Sequence, residues 1–179
     1  LTGRYCFRSR LKRGVLFGYD DLLIEAGRMT VPSMLRDAGY RTACIGKWHL
    51  GLGWQRHSEE HTDVDFDKPL TAGPHTVGFD DSLIIPASLD IPPYCYIEDG
   101  RVVEGSLREI PGNPRPGFWR AGPCSPGLEH ETCLLEFTMR SCQWLADHAK
   151  QSADEPFFLY VPLPSPHTPH VPRRPFRGR

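Results

Sequence analysis

The chain has 179 residues, a mass of 20.3 kDa and a formal net charge of -1, lengths and charges that suit one domain of about 100 to 200 residues. Hydrophobic residues make up 39 %, charged residues 24 %, and mean hydropathy is -0.42, which excludes a collagen-like, strongly charged disordered or coiled-coil chain. No apolar run approaches the roughly 18 residues that a membrane-spanning helix needs, so no membrane association is expected.

The 18 prolines and 17 glycines point to a large share of loop, and long loops in a compact chain usually carry function. The chain opens at Leu1 with neither an initiator methionine nor a leader pattern, and closes in a basic stretch. It is expected to be a fragment. Residues 1–13 hold five basic side chains and residues 173–179 hold four (Arg173, Arg174, Arg177, Arg179), with no acid in either window. No recognition-helix, zinc-finger or RNA-binding aromatic pattern accompanies them, so nucleic acid is not an expected partner.

In chain order, Thr30 is placed to cap a helix that runs to about Ala38, with Pro32 in its first turn and Gly39 ending it. A short apolar strand, Thr42 to Ile45, follows directly. Residues 53–80 are polar and irregular, and Ser82 to Ile85 forms a second buried strand that stops at Pro86. Tyr94 to Ile97 and Arg101 to Val103 flank Glu98-Asp99-Gly100, which predicts a hairpin. Residues 105–127, with five prolines and five glycines, are expected to form an excursion loop. In the helix after it, Leu135, Thr138, Met139, Cys142, Leu145, Ala146 and Ala149 share one stripe, the expected buried face. Phe157 to Val161 is the strongest strand. The Pro-rich segment 162–170 that follows can be neither helix nor central strand. The order predicts a mixed α/β fold with a largely parallel sheet.

In open α/β sheets ligands bind beyond the carboxyl ends of the strands. That rule selects Gly46 to Gly51, with Lys47 and His49; Ala87 to Asp90, with Ser88; and the loop bearing His167 and His170. A fixed cation, a hydroxyl donor and imidazoles that move protons near neutral pH suit an anionic substrate. Each also has a plain structural reading. Lys47 could be solvated, His49 could pack beside Trp48, and Ser88 could serve turn backbone. His57, His61, His75, His130 and His148 are read as surface residues. None of the six cysteines forms a CxxC pair, and buried thiols are expected; Cys133 and Cys142, nine apart, fall on opposite helix faces. The histidine spacings match no helix-borne zinc pair.

Gly39-Tyr40-Arg41-Thr42-Ala43-Cys44-Ile45-Gly46-Lys47-Trp48-His49-Leu50-Gly51 resembles the second signature of the sulfatase family, GYxTxxxGKWHLG. Leu1-Thr2-Gly3-Arg4 is similar to the end of that family's first signature, CxPSRxxLLTGR. Phe157-Phe158-Leu159-Tyr160 with Pro166-His167-Thr168-Pro169 resembles a third segment, and the three occur in family order. The likeness is strongest to arylsulfatase A-like enzymes, including the Ala87 to Asp90 turn.

The resemblance implies an alkaline-phosphatase-like α/β fold, with residues 1–179 forming part of an N-terminal catalytic domain whose start, and a C-terminal domain, lie outside the chain. It implies hydrolysis of small-molecule or saccharide sulfate esters by a formylglycine nucleophile. By motif, Lys47 bridges nucleophile and sulfate, His49 is the acid/base, His167 binds sulfate and assists the leaving oxygen, and Ser88 hydrogen-bonds sulfate. The cysteine that becomes formylglycine would lie eight residues before Leu1, and Cys6 lacks the Pro-Ser-Arg that must follow it. Calcium ligands are likewise expected outside the chain, a formylglycine-generating or equivalent maturation enzyme is an implied partner, and a periplasmic or secreted location is expected. The fragment alone is expected to be inactive. The rivals are a phosphodiesterase or phosphonate hydrolase of the same superfamily and a non-catalytic anion-binding relative.

Overall fold

The computed structural model describes residues 1–178; Arg179, one of the C-terminal bases, lies outside them. Helix α1 (Val31–Asp37) leads into strand β1 (Arg41–Lys47), followed by β2 (Asp81–Ile85), β3 (Ile97–Glu98) and β4 (Arg101–Val102). Then come β5 (Arg108–Ile110), β6 (Gly122–Cys124), the long helix α2 (Cys133–Gln151) and β7 (Phe157–Tyr160). Five strands form one sheet in the order β4-β3-β2-β1-β7. No helix among the described residues is long and apolar enough to cross a membrane.

The start of α1 follows from local chemistry. The Thr30 side chain accepts from the Ser33 amide and the Ser33 hydroxyl accepts from the Thr30 amide, a reciprocal cap, while Pro32 sits where no helical donor is needed. After the turn at Gly39 the chain enters β1, whose five positions from Thr42 to Gly46 are all buried, as expected of a strand covered on both faces. β1 runs parallel to β2, with Ala43 beside Asp81 and Lys47 beside Ile85, and parallel to β7, with Arg41 beside Phe157. Thr42 sets the first of these registers. Its amide and hydroxyl both reach the Asp80 carboxylate at 2.9 Å, and its hydroxyl accepts from the Asp80 amide.

Side-chain alternation divides the core between the two faces of the sheet. Cys44, Ile84 and Ile97 join Trp48, Leu52, Trp54 and Phe79 on one face, where Phe79 stacks on Phe158 and Tyr160. Ile45, Leu83 and Ile85 join Leu89, Tyr94, Leu128 and Phe137 on the other. The predicted hairpin is present: Glu98 pairs with Arg101 across Asp99 and Gly100, both with positive φ, the turn whose twist matches paired strands.

Two expectations are corrected. Residues 105–127 are not all loop, because β5 and β6 pair antiparallel with Arg108 beside Cys124; Pro123 is tolerated there because a two-stranded ribbon leaves alternate amides unpaired. The buried face of α2 is also not the predicted stripe. Leu135, Thr138, Met139, Cys142, Leu145, Ala146 and Ala149 are all exposed, while Cys133, Phe137 and Ser141 are buried and Trp144 is half-buried. Tertiary anchors decide the rotation of the helix. The Trp144 indole donates to Asp81 at 2.9 Å, Arg140 pairs with Glu98, and the Phe137 ring packs edge-on against Tyr96.

Buried thiols hold for Cys44, Cys95, Cys124 and Cys133, whereas Cys6 and Cys142 are exposed. His57, His61 and His75 are exposed as expected. His130 and His148 are not simple surface residues: both are half-buried, stacked on Trp119 and Trp144 respectively, because an imidazole face fills apolar surface as well as a small aromatic ring does. The rotation of α2 has a direct consequence. Phe137→Ala, which empties a fully buried site, is expected to cost about 3–5 kcal/mol in chemical unfolding, whereas Met139→Ala, 57 % exposed, is expected to stay within about 0.5 kcal/mol.

Candidate functional site

Because β1, β2 and β7 are parallel, their carboxyl ends finish at one edge of the sheet. The continuation of each strand is held there by backbone bonds. The Lys47 amide donates to Pro162 at 2.7 Å, the Trp48 amide to Ile85 at 3.1 Å and the His49 amide to Pro86 at 3.1 Å. Gly46 makes the first of these possible: a Cβ on it would lie 2.3 Å from the Pro162 carbonyl oxygen, and its φ is 147°. Trp48 then anchors the turn in the core, buried edge-on against Phe79 with its indole donating to Gly51.

His49 follows in the left-handed region, at φ 54°, uncommon for a residue other than glycine. Such backbone persists where surrounding contacts over-determine it. Here the ring supplies one, since Nε2 lies 2.8 Å from the Leu16 carbonyl. A carbonyl only accepts, so Nε2 carries the hydrogen and Nδ1 is left with its lone pair. The strand of chain bearing Leu16 is itself tied to the 48–54 loop: Leu23 donates to Leu50, Leu52 to Asp20, and the Trp54 indole to Gly18. Burial pushes the His49 imidazole below its ordinary range; the Leu16 bond opposes this, the charges of Lys47 and His167 reinforce it, and Asp90 opposes it. Lys47 is half-buried and makes no ion pair among the described residues.

After β2, Ser88 is buried and its hydroxyl donates to Asp90 Oδ1 at 2.6 Å. Arg120 Nη1 donates to Asp90 Oδ2 at 2.7 Å and to the Asp90 carbonyl at 2.9 Å, and its guanidinium lies over the Phe17 and Phe118 rings. Burial alone would raise the Asp90 carboxyl, but Ser88, Arg120 and the charge of His167 together hold it below its usual value. His167 Nδ1 lies 2.8 Å from the Thr168 carbonyl and 3.7 Å from Asp90 Oδ1. Lys47, His49 and His167 are therefore gathered around one edge, and Ser88 meets them through Asp90. His170 instead lines an adjoining cleft of ≈ 550 Å³ with Leu134, Leu135 and Phe176; His167 is on its wall but neither Lys47 nor His49 is.

Sequence reasoning passed over Asp90 and Arg120 as site residues. The Ser-x-Asp spacing at a strand exit was a usable signal for Asp90; nothing local marks Arg120 or the Leu16 carbonyl. Among the described residues no group of three or more His, Cys, Asp or Glu side chains is disposed to hold a metal ion.

The sulfatase family model matches residues 22–178. The chain belongs to the sulfatase family. It is 30 % identical to the N-acetylgalactosamine-6-O-sulfatase of Bacteroides thetaiotaomicron, covering all of this chain and 40 % of that protein. It is 32 % identical to the N-acetylgalactosamine-6-sulfatase of Canis lupus familiaris over 83 % of this chain and 24 % of that one. A solved structure from work on the metabolism of multiple glycosaminoglycans by Bacteroides thetaiotaomicron superimposes with a TM-score of 0.79 at 29 % identity, over 99 % of this chain and 42 % of that one. The crystal structure of PsFucS1 sulfatase from Pseudoalteromonas sp. shares the fold at a TM-score of 0.62 and 21 % identity. The sulfatase chain described here thus spans well under half the length of these relatives.

The site also sets a pH response. Desolvation lowers the half-buried imidazoles of His49 and His130, and the largely exposed His75 ring as well, below their ordinary value, and among the described residues the buried His130 Nε2 has no hydrogen-bond partner. The unfolded chain then binds more protons than the folded one below about pH 6.5, so stability is full above that value and declines as pH falls. Unfolding free energy measured from pH 7 to pH 5 is expected to decrease, with a shallower slope in His130→Gln.

Proposed function

We propose that this chain is the part of the N-terminal catalytic domain of a sulfate-ester hydrolase that binds the sulfuryl group and manages its protons. The observation that carries this reading is the delivery of one lysine and two histidines to a single strand edge, where the Lys47 amide is bonded to Pro162 at the head of the His167 loop and His167 reaches Asp90 after β2. Lys47 offers fixed positive charge to the sulfuryl oxygens, which carry the ester's negative charge, while new charge develops on the departing oxygen as the S–O bond breaks. His49, with Nε2–H committed to Leu16 and its proton affinity lowered by burial, presents Nδ1 as a base near neutral pH. His167, with Nδ1 turned to Thr168 and Asp90, can give the departing oxygen a proton from Nε2 when both ring nitrogens are protonated.

Formylglycine would supply the attacking hydroxyl in such an enzyme. Cys6 does not fit as its source: it is exposed on a single turn of 3-10 helix and is followed by Phe7, Arg8 and Ser9. On this reading the modified cysteine and the calcium ligands belong to other parts of the protein, as the family resemblance implies. The substrate class proposed is a saccharide sulfate, in keeping with relatives named for N-acetylgalactosamine 6-sulfate.

The test uses the whole protein that contains this chain. Hydrolysis of N-acetylgalactosamine 6-sulfate and 4-nitrophenyl sulfate is expected, and faster turnover of an aryl phosphate diester than of either sulfate would overturn the reading. Lys47→Ala and His49→Ala are each expected to lower kcat/KM by about 100-fold or more while moving the thermal midpoint little. Loss of folding in parallel with activity would assign the pair to packing.

A further inference from the structure

The least expected feature of the site is the buried carboxylate. Asp90 has a side chain only 9 % exposed, yet it spends one oxygen on Ser88 and the other on Arg120, and still faces His167. A carboxylate removed from water is costly unless fully partnered, and the partners here do more than neutralise it. Ser88 and Arg120 approach different oxygens, so the plane of the carboxylate is fixed and Oδ1 is held toward the imidazole.

The atoms around His167 Nδ1 are both acceptors, the Thr168 carbonyl at 2.8 Å and Asp90 Oδ1 at 3.7 Å. Two acceptors on one side of an imidazole place a hydrogen on that nitrogen and leave the opposite nitrogen to face a ligand. The Thr168 carbonyl belongs to the next residue in the chain and moves with the His167 loop. Asp90 does not, because its carbonyl also accepts from the Arg120 amide and guanidinium, and Tyr94 beside it is buried with its hydroxyl on the Arg120 carbonyl. It is the one contact on Nδ1 that refers the ring to the sheet.

We infer that Asp90, held by Ser88 and Arg120, is a positioning residue for His167: with Nδ1–H on the Thr168 carbonyl and the carboxylate charge beside it, the ring is oriented so that Nε2, when it too carries a proton, faces the ester oxygen of the substrate and passes that proton to it as the S–O bond breaks. Ser88 then serves the reaction through Asp90, since its hydroxyl hydrogen is already given to that carboxylate. This inference rests on the proposed sulfate-ester hydrolysis and adds the residue that makes His167 competent in it.

The test is a double-mutant cycle in the whole protein, read with two substrates. Asp90→Asn is expected to lower kcat on a sugar sulfate, whose alkoxide leaves poorly, on the order of 10- to 100-fold, the scale on which outer partners of a working imidazole act. On 4-nitrophenyl sulfate, whose phenolate leaves without help, the loss is expected to be several-fold smaller. In a His167→Asn background the same change is expected to cost almost nothing, because its route is already gone. Ser88→Ala, a smaller lesion, provides the same comparison if Asp90→Asn folds poorly, and its loss should also vanish in the His167→Asn background. Equal losses on both substrates, or losses that simply add to that of His167→Asn, would overturn the inference. An unmutated protein that hydrolyses neither sulfate would instead overturn the functional reading beneath it.

Discussion

Parallel pairing of β1 with both of its neighbours is the constraint from which the site follows. Parallel strands must all point the same way, so whatever follows each of them is delivered to the same edge. Here those continuations are Lys47 to Leu50, Pro86 to Asp90 and Pro162 to His170, segments separated by tens of residues in the chain. The register is not left to hydrophobic burial alone, because Asp80 takes the amide and the hydroxyl of Thr42 and so starts β2 at a fixed height beside β1. A slip of one position would turn Ile45 and Leu83 from one core to the other. The sheet is thus a device for aligning three loops, and the two cores packed on its faces hold it in place.

At that edge the two histidines are prepared in opposite senses. His49 is tied by Nε2 and His167 by Nδ1. One ring lies in a half-buried turn beside a lysine and resists protonation; the other lies beside a buried carboxylate. The left-handed backbone at His49 belongs to the same arrangement, since the turn it makes brings the ring back to a carbonyl from a distant loop.

How much of this could be read from the residues alone depended on the range of the interactions. The cap at Thr30, the Pro32 start and the Asp99-Gly100 turn are settled within four residues, and they were legible. Strand ends were legible for the same reason, and with them Lys47, His49 and His167. The buried face of α2 was not, because apolar periodicity weighs Leu135 and Met139 like Phe137, while Trp144 and Arg140 choose the rotation through partners on β2 and β3. Nor was Arg120 legible. Its bond to Asp90 spans 30 residues, and that of His49 to Leu16 spans 33, distances over which a sequence carries no local sign of contact.

The lack of a side chain on Gly46 has an effect beyond letting β1 meet the segment that follows β7. The backbone of Pro162 begins the loop that carries His167, and it rests directly against the residue before Lys47. The gap between the lysine and the more distant imidazole is therefore measured from a bare Cα, and one methyl group inserted there would act as a spacer. The spacing between Lys47 and the loop that bears His167 is gauged by the smallest residue in the chain.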